Sequence, residues 1–200
     1  MYLEALESGH RARARVALWL AQVVGGSPID DVGKTCLYRP EIFGRSFLRL
    51  VRQLLRGPSE WSVGERELFA AFVSRLNRCS YCAEVHSRVA ATRLGEAVAL
   101  PAFDSWRESD YEPRVKAVFY LLERLTLCPQ ELTTSDVDSV RLEGVSDAAL
   151  TDAIYIAAVF NLVNRLADAL GFSWRSESEA DKAARVLSRL GYRLPPFMLK

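Results

Sequence analysis

Apolar residues along this chain recur three and four positions apart almost from end to end, and no useful length alternates apolar with polar. The first pattern marks amphipathic helices and the second would mark strands, so an all-α fold is predicted. Leu3 to Val24 reads as one helix, closed by Gly25-Gly26-Ser27-Pro28. A loop rich in Gly and Asp leads to Pro40, which suits the first turn of a helix running to about Leu55. Gly57-Pro58 ends it. Ser62 is then a candidate N-cap, and Glu65 three residues on completes a capping box. Leu68, Phe69, Phe72, Val73 and Leu76 form the apolar stripe of the next helix, with Asn77 as its stop, because asparagine tolerates the left-handed conformation that closes helices.

Cys79 to Leu94 is again helical and ends at Gly95. A looser stretch, Pro101 to Glu112, carries Trp106 and Tyr111, large apolar side chains expected to pack under a loop. Pro113 to Leu127 is helical and stopped by Pro129, Ser135 to Leu142 is a short helix, and Ser146 caps a longer one ending near Gly171. Glu177 to Leu190 is the last helix, before a Pro-Pro tail. Residues 62–95 and 146–171 look faintly alike: each begins with a capping Ser, ends in Leu-Gly and contains Asn-Arg, at Asn77-Arg78 and Asn164-Arg165. Their spacings do not superpose without gaps, so two related helical halves, the second degenerate, are a suggestion within a single all-helical domain spanning 1–200.

Composition narrows the function. Half the residues are hydrophobic, enough for a sizeable core, and 26 basic against 25 acidic residues leave a formal net charge of +1. That balance gives no reason to expect nucleic acid or an anionic membrane as partner. The start, Met1 to Glu7, is acidic and amphipathic and lacks the basic and apolar blocks of a secretory signal. The longest apolar run, Ala153 to Phe160, falls well short of the roughly 18 residues a membrane span needs. A reducing cytoplasm is therefore the expected location.

Four cysteines are too few for a disulfide scaffold, and their placement is uneven. Cys36 and Cys128 stand alone and read as ordinary buried residues. Cys79 and Cys82 sit at i and i+3, on one face of a helix, with His86 one turn beyond Cys82. Such a pair in a reducing compartment points to redox catalysis or metal binding. The reactive species is the thiolate, which a helix N-terminus or a partnered imidazole favours. Glu67 precedes Cys79 by eleven intervening residues. On one unbroken helix it would lie about 18 Å away, so cooperation requires a turn near Asn77. Given that turn, Glu67 orients His86 and His86 accepts a proton from Cys82.

The spacing Glu67, Cys79, Cys82, His86 resembles the signature of the alkylhydroperoxidase D (AhpD) and carboxymuconolactone decarboxylase-like superfamily, in its peroxidase-related branch. The phrases from Val73 to Cys79 and from Phe160 to Gly171 have the same character. The resemblance implies an AhpD-like helical bundle, homo-oligomeric assembly, and reduction of alkyl hydroperoxides by a cysteine pair cycling between dithiol and disulfide. No bound cofactor is implied: the pair carries the electrons, and an external dithiol or protein reductant restores it. The best-studied peroxidases of this kind have a histidine between the cysteines where this chain has Ser80, so its proton relay is weaker or differently arranged. Decarboxylases of the superfamily do not use the cysteine pair.

Other readings stay open beside this one. A thiol-disulfide oxidoreductase would use the same four residues on a protein substrate. A zinc site would need a fourth ligand beyond Cys79, Cys82 and His86, and Cys36, Cys128 or His10 would have to be brought in from far away. The set could also be an inert remnant in a structural oligomer. Glu84 points off the cysteine face and is expected in solvent, as is His10, and Tyr81 is expected to pack. Arg45, Arg49, Arg52 and Arg56 share one helix face, read as solvated or as an oligomer contact. Proximity to His86 assigns attack to Cys82 and resolution to Cys79, whereas the helix dipole alone, worth under about 1 kcal/mol, would favour Cys79.

Overall fold

The structure, a computed structural model, describes residues 1–25, 29–96 and 105–193. Among them it holds ten α-helices and no strand: α1 (Ala5–Ser8), α2 (Ala12–Gly25), α3 (Asp31–Tyr38), α4 (Arg45–Arg56), α5 (Val63–Leu76), α6 (Ser80–Leu94), α7 (Pro113–Leu127), α8 (Thr134–Leu142), α9 (Asp147–Leu170) and α10 (Glu177–Leu190). The all-α expectation is met. The stop at 26–28, the stretch up to Asp104 and the Pro-Pro tail lie outside the described residues.

Helix α5 is the axis of the bundle. It is buried from Gly64 through Ser74 with Glu65 alone half-exposed, because α4, α6, α7 and α9 all pack on it. Phe72 stacks on Phe119 of α7 at 4.2 Å, and Trp61 meets Phe69 edge-on at 5.0 Å. Trp106 and Tyr111 close the same cluster, each edge-on to Phe119, so the loop aromatics pack as expected. Each such ring contributes about 1.5–3 kcal/mol through burial. Helix α9 supplies Ala153, Ile156, Ala157 and Phe160 to the core. It is long and apolar enough to cross a membrane by length and composition, with a mean hydropathy of 1.4 over its best window. Its buried face is accounted for by packing on α5 and α7.

Local capping matches the sequence where the signal is local. Ser62 Oγ accepts from Glu65 N at 3.2 Å while Glu65 Oε2 accepts from Ser62 N at 2.7 Å. Ser146 Oγ accepts from Ala149 N, and Gly171, at φ 68°, ends α9.

Five expectations are corrected. The first helix is two, α1 and α2, broken at Gly9-His10. A side chain on Gly9 would meet the Ala5 carbonyl at 2.6 Å, and His10 turns inward, 6% exposed, donating from Nε2 to the Lys34 carbonyl at 3.0 Å. His10 is thus not a surface residue. The loop before Pro40 contains α3, capped by Asp30, whose Oδ1 accepts from Gly33 N at 2.8 Å. Pro40–Gly44 forms a π turn, so α4 begins at Arg45. The left-handed residue after α5 is Arg78, at φ 60°, whereas Asn77 stays right-handed at φ −74°.

Candidate active site

The turn between α5 and α6 decides what the motif can do. Arg78 reverses the chain, and Cys79 N donates back to Ser74 O at 3.0 Å. Helix α6 then runs back along α5, so that a side chain on Gly64 would land 2.6 Å from Leu94. Gly64 is what lets the two helices close at that end. The turn is pinned from α9: Asn77 Nδ2 donates to Asn161 Oδ1 and Asn164 Oδ1, both at 3.0 Å, and Asn164 Nδ2 donates to Ser74 Oγ at 3.0 Å. The two Asn-Arg pairs seen in the sequence therefore meet, through Asn77 and the fully buried Asn164.

Antiparallel packing brings Glu67 of α5 onto His86 of α6. Glu67 is fully buried, and its Oε2 lies 2.6 Å from His86 Nδ1. A carboxylate accepts, so Nδ1 carries the proton and donates, leaving Nε2 as the nitrogen with a free lone pair. Arg56 Nη1 lies 2.6 Å from Glu67 Oε1. Burial works to raise the Glu67 carboxyl, but His86 and Arg56 outweigh it and hold the group below the usual carboxylate range. The imidazole meets Phe160 edge-on at 4.7 Å.

Cys79 is the N-cap of α6 and Cys82 lies in its first turn. Both sulfurs are free thiols, on residues only 1% and 2% exposed. A hydrogen bond from Cys82 is the main influence lowering the Cys79 thiol, and burial opposes it. The same bond, then burial, push Cys82 well up, while a hydrogen bond from Asn164 works to lower it. Asp168, one turn beyond Asn164, acts on Cys79 in the raising direction. The resting dithiol thus favours ionisation at Cys79, against the order expected from proximity to His86. Tyr81 packs as expected: it stacks on Trp174 at 4.2 Å, and Trp174 Nε1 donates to the Tyr81 carbonyl at 2.9 Å.

Several surrounding residues carried no sequence signal. Arg56 does not share the fate of its stripe: Arg45, Arg49 and Arg52 are exposed, whereas Arg56 turns in to Glu67. Tyr192 donates to Glu67 Oε1 at 3.0 Å. Glu84 is half-buried and pairs with Arg88 at 2.8 Å, so it is not simply solvated. Cys36 is buried, but Cys128 is only half-buried. Among the described residues, no three His, Cys, Asp or Glu side chains converge as they would around a metal ion.

No family model matches the sequence. The chain is 30% identical over 108 residues to the uncharacterized protein YdfG of Bacillus subtilis (strain 168), covering 53% of this chain and 73% of YdfG. Its fold superposes on an uncharacterized peroxidase-related protein from Silicibacter sp. TM1040 with a TM-score of 0.71 at 22% identity, over 88% of this chain and 92% of that one. It superposes on a second uncharacterized peroxidase-related protein, described as an alkylhydroperoxidase AhpD core, from Ralstonia eutropha JMP134, with a TM-score of 0.70 at 25% identity, over 90% of this chain and 93% of that one. Ten helices, a cysteine pair at the head of α6 and these likenesses agree: the chain belongs to the AhpD-like, peroxidase-related superfamily.

Proposed function

We propose that the protein is a thiol peroxidase that reduces alkyl hydroperoxides through Cys79 and Cys82, with Glu67 and His86 as proton relay. The observation that carries this reading is the buried Glu67–His86 bond at 2.6 Å, whose imidazole stands on the helix that a reduced cysteine pair heads. A carboxylate-held imidazole with Nε2 open is a general base and later a general acid.

In the proposed cycle the thiolate of Cys82 attacks the terminal oxygen of the hydroperoxide. The O–O bond breaks, Cys82 becomes a sulfenic acid, and the alkoxide takes a proton from the relay to leave as alcohol. Cys79 then attacks the sulfenic sulfur, water leaves, and the disulfide forms. Two electrons from the dithiol have reduced the peroxide, and an external dithiol restores the pair. Ionisation is favoured at Cys79 and disfavoured at Cys82, so attack by Cys82 requires its proton to pass to Cys79 first. Strongly interacting thiols titrate as a pair, and the first proton lost belongs to both.

The reading includes a reducing, cytoplasmic setting and assembly as a homo-oligomer. Val16, Trp19, Leu20 and Val23 leave an exposed apolar stripe on α2, and Tyr155 and Leu162 another on α9; both support a further apolar contact. Stopped-flow oxidation of the reduced protein by several hydroperoxides, with thiols counted afterwards, tests the cycle. Loss of two thiols per chain, restored by dithiothreitol, is expected. Thiols that survive every peroxide but exchange with protein disulfides would replace this reading with an oxidoreductase.

A further inference from the structure

Glu67 is held from the side opposite His86 by two residues far from the cysteine motif. Its Oε1 accepts from Arg56 Nη1 at 2.6 Å and from the Tyr192 hydroxyl at 3.0 Å. The two donors also hold each other: the Arg56 guanidinium lies over the Tyr192 ring, 5.1 Å from its centroid. Arg56 further donates to the carbonyls of Leu55, at the end of α4, and Leu187, in the last turn of α10, at 2.9 and 3.3 Å. Gly191, at φ 63°, ends α10 and turns the chain so that Tyr192 comes back over the site. The phenol ring lies nearly parallel to the imidazole, at 16° and 6.5 Å, with its oxygen 3.5 Å from His86 Nδ1.

We propose that Tyr192 is a positioning residue for the Glu67–His86 pair, acting with Arg56 to fix the plane of the carboxylate. The inference deepens the peroxidase reading and rests on it for its catalytic consequence. A buried carboxylate can turn about its last bond, and each orientation offers a different oxygen to its neighbour. With Oε1 occupied by two donors, Oε2 is the oxygen left for His86 Nδ1–H. That bond selects the Nδ1–H tautomer and leaves Nε2 to accept a proton. Loss of the phenol hydroxyl leaves Oε1 with one donor and the carboxylate free to rock, so the imidazole loses its fixed tautomer and orientation. Burial and the adjacent carboxylate push the Tyr192 phenol well above its ordinary range, so it remains a donor throughout the working pH range.

The chain has only two histidines, His10 and His86, which makes imidazole NMR on the full-length reduced protein readable. Wild type is expected to show His86 as a single Nδ1–H tautomer with a slowly exchanging downfield ring proton. Tyr192→Phe keeps the ring and removes one oxygen. It is expected to speed exchange of that proton by about tenfold or more, without a comparable loss of thermal stability, and to slow peroxide oxidation of the reduced pair by a similar factor. Arg56→Gln is expected to act in the same direction. A Tyr192→Phe protein whose Nδ1 proton exchanges at the wild-type rate overturns the proposal. Faster exchange in a protein whose wild type consumes no hydroperoxide leaves the positioning role standing and removes the peroxidase reading instead.

Discussion

Glu67 and His86 are 19 positions apart in the chain and 2.6 Å apart in space. The bond spans two helices, and the turn between them makes it possible: Arg78 in the left-handed region, Cys79 N bonded to Ser74 O, and Asn77 held by Asn161 and Asn164.

Glu67→Gln is expected to slow oxidation of the reduced protein by roughly 10²-fold, as loss of a general-base partner does. A stopped-flow rate within twofold of wild type would remove Glu67 from the relay.

The same carboxylate links stability to pH. Its native pKa is depressed, whereas in the unfolded chain it returns to about 4.3. Between those values the unfolded state binds more protons, so Glu67 contributes stability above about pH 4.3. That contribution is lost as pH falls through the native pKa. Urea unfolding at pH 6 and pH 3 should show a smaller acid loss in Glu67→Gln than in wild type; equal losses would refute the linkage.

Peroxide is expected to close a Cys79–Cys82 disulfide and leave Cys36 untouched. Burial, with Asp30 nearby, pushes the Cys36 thiol up to about 12, which keeps it protonated and unreactive. Mass mapping that found Cys36 or Cys128 in the bridge would contradict the pairing.

The order of attack is decided by labelling. Cys79→Ser should accumulate a sulfenic acid at Cys82 that dimedone traps, and Cys82→Ser should react far more slowly. Dimedone labelling of Cys79 in the Cys82→Ser protein at the wild-type rate would reverse the roles and follow the resting electrostatics instead.

Asn164→Ala removes the clamp on the turn. It leaves the buried Ser74 hydroxyl and the Asn77 amide short of partners, at about 1–3 kcal/mol for each unsatisfied group. Urea unfolding should show a loss of roughly 2–4 kcal/mol. A loss under about 0.5 kcal/mol would mean the network is replaceable by water.

Much of this protein was legible locally. Capping boxes and N-caps at Ser62 and Ser146, the stop at Gly171 and the spacing of Cys79, Cys82 and His86 are written within one or two helical turns, and short-range hydrogen bonding realises them. The core role of α5 was legible in Phe69 and Phe72. The break at Gly9-His10 and helix α3 were not, because they depend on His10 reaching Lys34 and on five side chains of α3 finding burial against the rest of the bundle.

The candidate site divides along the same line. The sequence by itself determined that Cys82 and His86 stand one turn apart on one helix face, since helical periodicity alone requires it, with Cys79 at the head of that helix. Tertiary structure decided which carboxylate meets that imidazole and what holds the carboxylate. Arg56 lies at the end of another helix and Tyr192 lies 125 positions from Glu67. A buried charge draws its partners from whatever the packing brings near it, and no local pattern along the chain records that choice.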